Sequence, residues 1–500
     1  MSENIKWQKT ELGSIPAEWN YEPLESYFDL ITYGFTNPMP TVEEGHFMLT
    51  AKDIKDGRIL YETARRTSKE AFNNLLTPKS RPHVNDVLIT KDGSIGRVAV
   101  VDRKDICINQ SVAVIRPNKR INPLFMRYLL ESPGYQKLIE RDASGSTIKH
   151  IYITRINKML VGVPDLREQN GIVKAIHDLT RKIELNRQMN QTLEAMAQAL
   201  FKSWFVDFDP VIDNALEKGN DIPEALQARA EKRKALTKSP PEGGVSAGRG
   251  GRLLNNNPAL AALFPSSFEY NETLDKWIPE GWEDNTLGEM IQIQNGFAFK
   301  SKDFRSDGVP VLKIKNVKPN RVLYHGIDHV EESLANDKYV VRKGELLITM
   351  TGNRYDGTPD SWVGKVAMFD RDEIYLVNQR VAKITTNSAL SNEYLLELLS
   401  SFDFQLYFIN NSTSSGGQAN ISPDLIKNTH VLIPPISQIT EFTKITSETR
   451  KKIWENNNQT ETLTQLRDTL LPQLISGKVR LPAEVIAKAV VSEEVIEQMN

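Results

Sequence analysis

The chain has 500 residues but only one cysteine, no long apolar run and almost no net charge. The single thiol, Cys107, excludes an intramolecular disulfide, and its apolar neighbours predict a buried strand in which it is structural rather than nucleophilic. No stretch approaches the ~18 consecutive apolar residues of a membrane span, and the N-terminal segment lacks the apolar core of a secretory signal. A cytoplasmic protein without a membrane contact is therefore predicted.

The net charge of −2 gives no global signature of nucleic-acid binding. It excludes a uniformly basic protein, but a local basic face is compatible with a nearly neutral total. A nucleic-acid ligand must therefore be argued from the arrangement of the chain rather than from its charge.

Catalytic motifs are missing as well. Gly477-Lys478 resembles the end of a phosphate-binding loop, but Val479 follows it and the upstream glycine is absent. His325 and His329 are four residues apart, yet no Cys or Glu ligands flank them, so no metal site is predicted. These absences favour a binding and assembly protein with no catalytic residues and no cofactor of its own.

A long helix is predicted from Arg167 to Trp204, where the only glycine lies near the start. One set of its residues alternates at spacings of three and four, which is the contact pattern of a coiled coil. The predicted contact positions are Ile176, Leu179, Ile183, Asn186, Asn190, Leu193, Ala197 and Leu200. At ~1.5 Å per residue this helix would be roughly 57 Å long, so it is expected to join or space two domains.

The chain also repeats itself, with six landmarks in the same order. Trp19 recurs as Trp282, 263 residues later, and the long helix recurs at an offset of 270 residues. The matched segments are Ile15–Trp19 and Ile278–Trp282, Phe47–Ile54 and Pro310–Val317, Asp86–Gly96 and Glu345–Asn353, Asn109-Gln110 and Asn378-Gln379, Val161–Leu166 and Val431–Ile436, and Lys182–Met196 and Lys452–Leu466. The repeat indicates two diverged copies of one unit, a globular half followed by a long helix.

Each globular half is predicted to be α+β, with strands dominant. Short Val- and Ile-rich runs bounded by Gly, Asp, Asn and Pro are typical of strands and turns, and short helices are predicted at Pro123–Glu131 and Asn392–Ser401. The predicted boundaries are 1–160 for the first globular domain, 161–206 for the central long helix, 207–271 for a flexible linker, 272–430 for the second globular domain, 431–477 for the C-terminal long helix and 478–500 for a tail.

The segment 207–271 is predicted to be a flexible crossing between the two copies. It holds a basic run at 228–238, followed by a stretch at 240–252 that is dense in Gly and Pro. Such a composition buries too little apolar surface to offset the entropy of ordering the chain. Its basic residues could touch phosphates, but a solvated linker is the favoured interpretation.

The second long helix is more polar than the first. Its predicted contact positions are Thr446, Thr449, Ile453, Asn456, Thr460, Leu463, Arg467 and Leu470, with Ile445 and Leu466 as further contributors. A buried Asn in a coiled coil costs stability but fixes register and partner. Asn186, Asn190 and Asn456 are therefore predicted to set the register of two long helices that pair antiparallel about a pseudo-twofold axis.

Two equivalent modules held apart by a rod suit a ligand with two sites at a fixed distance. Duplex DNA is such a ligand, because proteins with twofold symmetry read half-sites one turn of ~34–36 Å apart. The contact positions from Ile176 to Leu200 would cover roughly 37 Å at helical rise. Since the two copies have diverged, the half-sites are expected to differ and to flank an unread spacer.

The candidate DNA-binding residues lie in loops that recur in both copies. In the first copy they are Tyr33, Phe35, Lys52, Lys91, Ser94, Arg97, Ser146, Thr147 and Lys149. In the second copy they are Phe297, Lys315, Thr351, Asn353, Arg354, Tyr355, Gln418 and Asn420. Each loop alone could be an ordinary surface hairpin, but a turn that recurs at the same place favours a shared use. Asn and Arg can pair bidentately with adenine and guanine.

The chain resembles the DNA-specificity subunits of type I restriction-modification systems. The resemblance is carried by the helix string REQNGIVKAIHDLTRKIELNRQMNQTLEAMAQALFKSW, by DVLIT followed by a glycine turn, by Asn-Gln in an apolar strand, and by their duplication. It implies two target-recognition domains separated by two long antiparallel coiled-coil helices. It further implies that this non-catalytic chain reads a bipartite, asymmetric sequence in double-stranded DNA.

The same resemblance implies the partners. Two methyltransferase subunits would dock on the helices, bind S-adenosylmethionine and methylate adenine N6, and separate restriction subunits would supply ATP- and Mg-dependent cleavage. Two other hypotheses stay open at this point. One is a coiled-coil scaffold that binds only proteins, and the other is a self-sufficient nuclease or methyltransferase with an unrecognised site.

Overall fold

A computed structural model describes residues 6–143, 149–238, 257–354, 361–386, 390–415 and 417–488 of the chain. Ser146, Thr147 and Tyr355, which the sequence nominates as DNA contacts, lie outside the described residues. The chain divides into two compact units. Unit 1 comprises Met1–Asn186 with Asn458–Asn500, and unit 2 comprises Arg187–Asn457. Each unit thus contains one globular half and a portion of both long helices.

Unit 1 is built on a four-stranded antiparallel sheet. Its strands, in spatial order, are Val98–Val100, Val87–Thr90, Val112–Pro117 and Phe28–Tyr33. Their Val and Ile side chains are buried, because β-branched residues pack well on a pleated surface. One core cluster of the unit joins sheet residues to the helices Pro123–Glu131 and Pro133–Arg141. Asn122 caps the first of these helices by accepting hydrogen bonds from two backbone N–H groups.

A smaller sheet completes the core of unit 1. His46–Leu49 pairs in parallel with Ile106–Ile108 and antiparallel with Arg65–Thr67. Cys107 lies in the buried strand that the sequence predicts, and burial raises the pKa of its thiol to about 12. A thiol with this pKa stays protonated at neutral pH, which fits a structural residue.

The remaining elements of unit 1 are short. The strands are Trp7–Thr10, Gly13–Pro16, Asn20–Pro23, Ile54–Lys55, Arg58–Ile59 and Leu160–Val163. The helical segments are Leu24–Tyr27, Ala51–Asp53, Lys69–Asn74, Pro78–Ser80, Ile153–Asn157 and Ala483–Lys488.

Unit 2 repeats this architecture. Its main sheet has the strands Val366–Met368, Leu346–Thr349, Val381–Thr386 and Ile291–Asn295, in the same spatial order as the equivalent strands of unit 1. A second sheet contains Phe304–Arg305, Asp328–Val330, Val309–Leu312, Tyr375–Val377 and Val340–Val341. It keeps the parallel pair, here between Val309–Leu312 and Tyr375–Val377. The predicted α+β class and the duplication of the globular half are therefore confirmed.

Unit 2 also keeps the pair of helices, at Asn392–Ser400 and Phe402–Asn410. The remaining strands are Phe268–Asn271, Lys276–Pro279, Glu283–Thr286, Val317–Lys318, Arg321–Val322, Thr351–Gly352, Thr413–Ser415, Gln418–Asn420 and His430–Ile433. The remaining helical segments are Lys202–Val206, Asp209–Lys218, Glu224–Lys238, Pro258–Ala261, Leu287–Met290, Ser301–Asp303, Ile314–Asn316, Glu332–Leu334, Asp337–Tyr339 and Pro423–Lys427.

A pair of equivalent glutamines illustrates how closely the two cores correspond. Gln136 donates its amide hydrogens to the carbonyl oxygens of Gly96, at 2.8 Å, and Leu130, at 2.6 Å. In unit 2, Gln405 donates to Gly364, at 2.8 Å, and Leu399, at 3.1 Å. The same side chain thus ties the second helix of each pair to the same turn of each sheet.

The two long helices are Leu166–Phe201 and Ile436–Ile475. In unit 1, Ile172 and Ile176 belong to one core cluster with Leu474 and Ile475. Further along the first helix, Asn186 Nδ2 donates to Gln459 Oε1 at 2.8 Å. Because the partners descend in number along the first helix, the two segments run antiparallel, as predicted.

The helix contact in unit 2 has the same direction. Asn190 Nδ2 donates to Asn457 Oδ1 at 2.8 Å, and Asn456 Nδ2 donates to Asn190 Oδ1 at 2.8 Å. Toward the end of the first helix, the ring of Phe201 lies 5.9 Å from the ring of Phe442. The two helices are therefore antiparallel in this unit also.

The predicted coiled-coil positions are those that the helices bury. Ile176, Ile183, Asn186, Asn190 and Ala197 are buried in the first helix. Thr446, Ile453 and Asn456 are buried in the second helix, and every other predicted contact position of both helices is half-buried. The suggestion that Ile445 and Leu466 share the contact is wrong, since both are exposed beside the contact positions.

The flexible linker predicted at 207–271 is wrong where regular elements form, at Asp209–Lys218, Glu224–Lys238, Pro258–Ala261 and Phe268–Asn271. The first two are helices, and Phe208 before them packs its ring 5.5 Å from that of Trp282 in the core of unit 2. Arg229 forms two hydrogen bonds of 2.7 Å with the carboxylate of Asp209, and Arg233 pairs with Asp213. The basic run therefore turns two arginines toward the neighbouring helix instead of toward solvent. The Gly- and Pro-dense stretch 240–252 lies outside the described residues.

Among the helices in the described ranges, none is long and apolar enough to cross a bilayer.

Candidate nucleic-acid interface

The first candidate site of unit 1 forms where strand Val87–Thr90 ends in the turn KDGSIG. Gly93 and Gly96 take positive φ angles of 75° and 78°, a conformation that glycine adopts without steric cost. The Gly93 N–H donates to the Lys149 carbonyl, and the Ile151 N–H donates to the Lys91 carbonyl, both at 2.9 Å. These bonds hold the turn against the segment that leads to the long helix.

An open cleft of about 360 Å³ lies beside this turn. Its lining residues are Tyr33, Thr36, Lys91, Asp92, Gln110, His150, Ile151, Tyr152 and Ile153. The lining combines aromatic rings, a cation, an amide and an imidazole, which are the groups that contact bases and phosphates in nucleic-acid complexes.

The charges in the cleft are balanced by direct contacts. Lys91 Nζ lies 2.9 Å from Asp92 Oδ2, and His150 Nδ1 bonds the other carboxylate oxygen. Burial works to raise the pKa of Asp92, but the hydrogen bonds from His150 and Lys91 outweigh it and lower that pKa. Asp92 is therefore a carboxylate at neutral pH that positions its two neighbours.

Tyr33 lies at the edge of the cleft between two cations. The Nζ atoms of Lys91 and Lys79 are 5.3 Å and 5.5 Å from the centre of its ring, within the range of a cation–π contact. Its side chain is 38% exposed. The ring can therefore stack on a base or sugar. Lys91 is buried and paired with Asp92, so the exposed Lys79 is the ammonium group that can attract phosphate.

The other first-copy candidates divide into surface and structural residues. Lys52, Ser94 and Lys149 are exposed. Phe35 is half-buried and packs against an apolar cluster, which leaves only part of its ring accessible. Arg97 donates to the Ile54 carbonyl at 3.2 Å, which directs its guanidinium into the fold. DNA contact by Phe35 and Arg97 stays a prediction, and both side chains already have partners within the fold.

Sequence reasoning missed four cleft residues, namely Asp92, Gln110, His150 and Tyr152. Asp92 and His150 are 58 residues apart, and only the folded chain brings them together. Gln110 could have been found, because the Asn-Gln pair recurs in both copies. Tyr152 is 58% exposed, and no feature of its sequence neighbourhood marks it.

In unit 2 the corresponding site contains a small three-stranded sheet of Thr351–Gly352, Gln418–Asn420 and Thr413–Ser415. It brings the predicted residues Thr351, Gln418 and Asn420 together, and Thr351 Oγ1 donates to Asn420 Oδ1 at 2.8 Å. Arg354, although exposed, donates to the Ser412 carbonyl at 3.0 Å. Asn353 is exposed, with its backbone N–H bonded to the Ser361 carbonyl at 2.8 Å.

The two sites occupy the same place in their units. The Ile421 N–H donates to the Met350 carbonyl at 3.0 Å, as the Ile151 N–H does to that of Lys91. The pair of Thr351 and Asn420 therefore stands in unit 2 where Asp92 and His150 stand in unit 1. A charged pair in one copy is replaced by a neutral pair in the other.

Two further second-copy candidates lie on the surface. Phe297 is 39% exposed, and its ring lies 5.0 Å from that of Phe299 and 5.2 Å from that of Tyr339. Lys315 Nζ is 3.1 Å from Asp328 Oδ2. Exposed ion pairs of this kind are weak, so Lys315 can still exchange its partner for a phosphate.

A family model for the type I restriction modification DNA specificity domain matches residues 42–195 and 279–465. The two stretches contain most of both globular halves and most of both long helices, and together they exceed half of the chain.

Individual proteins agree with this match. The HindI specificity subunit of Haemophilus influenzae is 30% identical over 77% of this chain and 84% of its own length. The MjaIX specificity subunit of Methanocaldococcus jannaschii is 21% identical over 95% of this chain and 97% of its own. The crystal structure of an S subunit from M. genitalium has the same fold, with a TM-score of 0.52 at 16% identity over 95% of this chain and 97% of its own. The chain belongs to the family of DNA specificity subunits of type I restriction-modification systems.

Proposed function

We propose that this chain reads a bipartite, asymmetric sequence in double-stranded DNA and directs partner methyltransferase and restriction subunits to it. Each globular half reads one part of the target. The observation that carries this proposal is the pair of equivalent surface sites, which share their main-chain hydrogen bonds and differ in their side chains.

The difference between the sites supports an asymmetric target. His150 and Asp92 place an imidazole and a carboxylate in the first site, whereas the second has the amide of Asn420, whose oxygen accepts from the buried Thr351 hydroxyl. Base edges in the major groove are distinguished by their patterns of donors and acceptors. Two sites with different patterns at the same position therefore select different bases.

The long helices supply a surface for assembly. In unit 2, Met189 and Met196 are 51% and 56% exposed, while Asn190 and Ala197 are buried against the second helix. These exposed apolar side chains lie outside the contact between the two helices, so a protein partner can cover them. In unit 1, Leu466 is exposed in the same way on the second helix. We assign these faces to two methyltransferase subunits.

The chemistry resides on the partners in this proposal. S-adenosylmethionine is bound by the methyltransferase subunits, which transfer methyl to adenine N6, and ATP and Mg²⁺ serve the restriction subunits. The chain alone is expected to leave DNA unchanged when incubated with S-adenosylmethionine and Mg²⁺. Methylation or cleavage by the isolated chain would contradict a non-catalytic role.

The test is methylome sequencing of cells that carry this chain with its methyltransferase partner. Methylated adenine is expected in two short, different half-sites separated by a spacer of fixed length and free sequence. Inserting one heptad between Ile176 and Leu200, with a matching insertion in the second helix, should change the spacer and leave both half-sites unchanged. Complexes that assemble but methylate without sequence preference would instead indicate a protein-only scaffold.

A further inference from the structure

The Asn-Gln pairs at 109–110 and 378–379 occupy equivalent positions in the two reading sites. In unit 1 the Phe35 N–H donates to the Ile108 carbonyl at 3.0 Å, and the Gln110 N–H donates back to the Phe35 carbonyl at 2.9 Å. In unit 2 the Phe297 N–H donates to Val377 at 2.8 Å, and the Gln379 N–H donates to Phe297 at 2.9 Å. Each glutamine is thus fixed through its backbone to a Gly-Phe loop.

Glycine is required in both loops. A Cβ atom on Gly34 would lie 1.7 Å from the Ile108 carbonyl oxygen, and one on Gly296 would lie 2.2 Å from the Val377 carbonyl oxygen. Both distances are far shorter than any van der Waals contact, so only glycine allows the two chain segments to meet. The fold therefore builds the same close-packed support under both glutamines.

The glutamine side chains are not used by the fold. Both are exposed, and neither amide forms a hydrogen bond with any residue in the part of the chain that the structure describes. The neighbouring Asn109 contrasts with them, because its Oδ1 accepts hydrogen bonds from the Ser111 backbone at 3.1 Å and the Ser111 hydroxyl at 2.6 Å. The side chain of Asn109 therefore has a structural role, whereas the side-chain amide of Gln110 has none in the described structure.

The surroundings of both glutamines suit DNA. Gln110 shares its cleft with Tyr33, and the exposed Lys79 lies over the Tyr33 ring with its Nζ atom 5.5 Å from the ring centre. Lys91 of the same cleft is buried and paired with Asp92. Gln379 is followed by Arg380, which is exposed and has no ion-pair partner among the described residues. In each unit a free amide thus lies beside a cation that can contact the sugar-phosphate backbone.

We propose that Gln110 and Gln379 each read one base of the half-site recognised by their unit. The inference rests on the proposed function, and it names one contacting residue and the base that it contacts in each half-site. A glutamine amide combines one donor and one acceptor, which pair bidentately with N7 and N6 of adenine in the major groove. Because the two supports are equivalent, an adenine is expected at the equivalent place of each half-site, whereas the flanking bases differ.

The test uses the full chain assembled with its methyltransferase partner. Methylation rates are measured on duplexes in which each base pair of both half-sites is replaced in turn. The wild-type complex should prefer adenine at one position in each half-site by roughly 5- to 150-fold. Gln110→Ala should remove that preference in one half-site only, and Gln379→Ala should remove it in the other. The unaltered half-site in each variant reports that the complex is folded.

A second pair of variants tests the chemistry of the contact. Gln110→Glu and Gln379→Glu replace the donor with a second acceptor, so adenine should be disfavoured and cytosine, which donates from N4, should gain. Gln292, an exposed glutamine on a sheet strand of unit 2, serves as the matched control, and Gln292→Ala should keep the wild-type profile.

Two results would overturn the inference. An equal loss of rate on every duplex would indicate a positioning or structural role, and an unchanged profile would indicate no contact. A wild-type complex that discriminates at no position would instead overturn the proposed function itself.

Discussion

Unit 1 and unit 2 keep the same main-chain hydrogen bonds around their reading sites but different side chains in them. Lys91, Asp92 and His150 form a contact triad in unit 1, and Met350, Thr351 and Asn420 occupy the equivalent positions in unit 2. The support under the glutamines is shared, whereas the charged cluster is not. The main chain thus fixes where a side chain is placed, and the side chains at these places differ between the two candidate sites.

The contrast extends to the helices behind the sites. In unit 2, Arg450 of the second long helix donates to Glu397 Oε1 at 3.0 Å, and both side chains are at most 5% exposed. The repeat places Tyr128 and Thr180 at these positions in unit 1. The ion pair of unit 2 therefore has a neutral pair at the equivalent positions of unit 1, whose long helix forms a partly buried ion pair elsewhere, between Glu168 and Arg480.

The largest expected effect comes from breaking that ion pair. At pH 9, where Glu397 is ionised beside Arg450, Arg450→Met leaves that carboxylate buried without its partner, which costs about 3–5 kcal/mol of unfolding free energy. Urea denaturation followed by circular dichroism measures the change. Thr180→Val, at the equivalent position of unit 1, is the control and should cost under ~1 kcal/mol. Equal effects at the two positions would contradict a difference between the units.

The same pair should make the unfolding free energy of unit 2 depend on pH. Burial raises the pKa of Glu397 to about 7, well above the ordinary range of a glutamate, although Arg450 opposes the shift and Glu194 adds to it. The folded state therefore holds a proton that the unfolded state releases near pH 4.5. The stability due to this proton is complete below pH 4.5 and is lost as pH rises through 7.

Glu397→Gln isolates this contribution. Between pH 4.5 and 7.5 the wild-type unfolding free energy should fall, relative to that of the variant, by on the order of 2 kcal/mol. Denaturation midpoints at four or five pH values give the two curves. Parallel curves would mean that Glu397 is ionised throughout and that Arg450 outweighs burial.

The sequence predicts those parts of the structure that depend on local spacing. The coiled-coil positions and the repeat follow from periodicity and order, so Asn186, Asn190 and Asn456 are found on the helix contact as expected. The helices within 209–238 were missed because they are stabilised by ion pairs between one helix and the other. Arg229 and Arg233 meet Asp209 and Asp213 across two helices, and composition contains no trace of that pairing.

In the candidate sites too, residues in recurring local motifs were predicted and contacts between distant segments were not. Tyr33, Lys91, Thr351 and Asn420 were found because their loops recur, and Asp92 with His150 was missed because their contact joins distant segments. Phe35 and Phe297 align in the repeat, yet one packs into a cluster and the other is exposed. Alignment of two copies predicts the position of a residue, and its exposure depends on neighbours that have diverged.

The smallest expected effect compares the two helix contacts through their asparagines. Asn190 is buried and takes part in hydrogen bonds with Asn456, Asn457 and the Ile453 carbonyl, so Asn190→Ala should cost about 1–2 kcal/mol. Asn186 is also buried and donates to the exposed Gln459, whose amide can hydrogen-bond to water in Asn186→Ala, so this variant should cost less than Asn190→Ala. Denaturant midpoints at constant m-value distinguish the two. If Asn186→Ala lowers the unfolding free energy more than Asn190→Ala does, Asn186 contributes more to fixing the helix register than the Asn190–Asn456 contact.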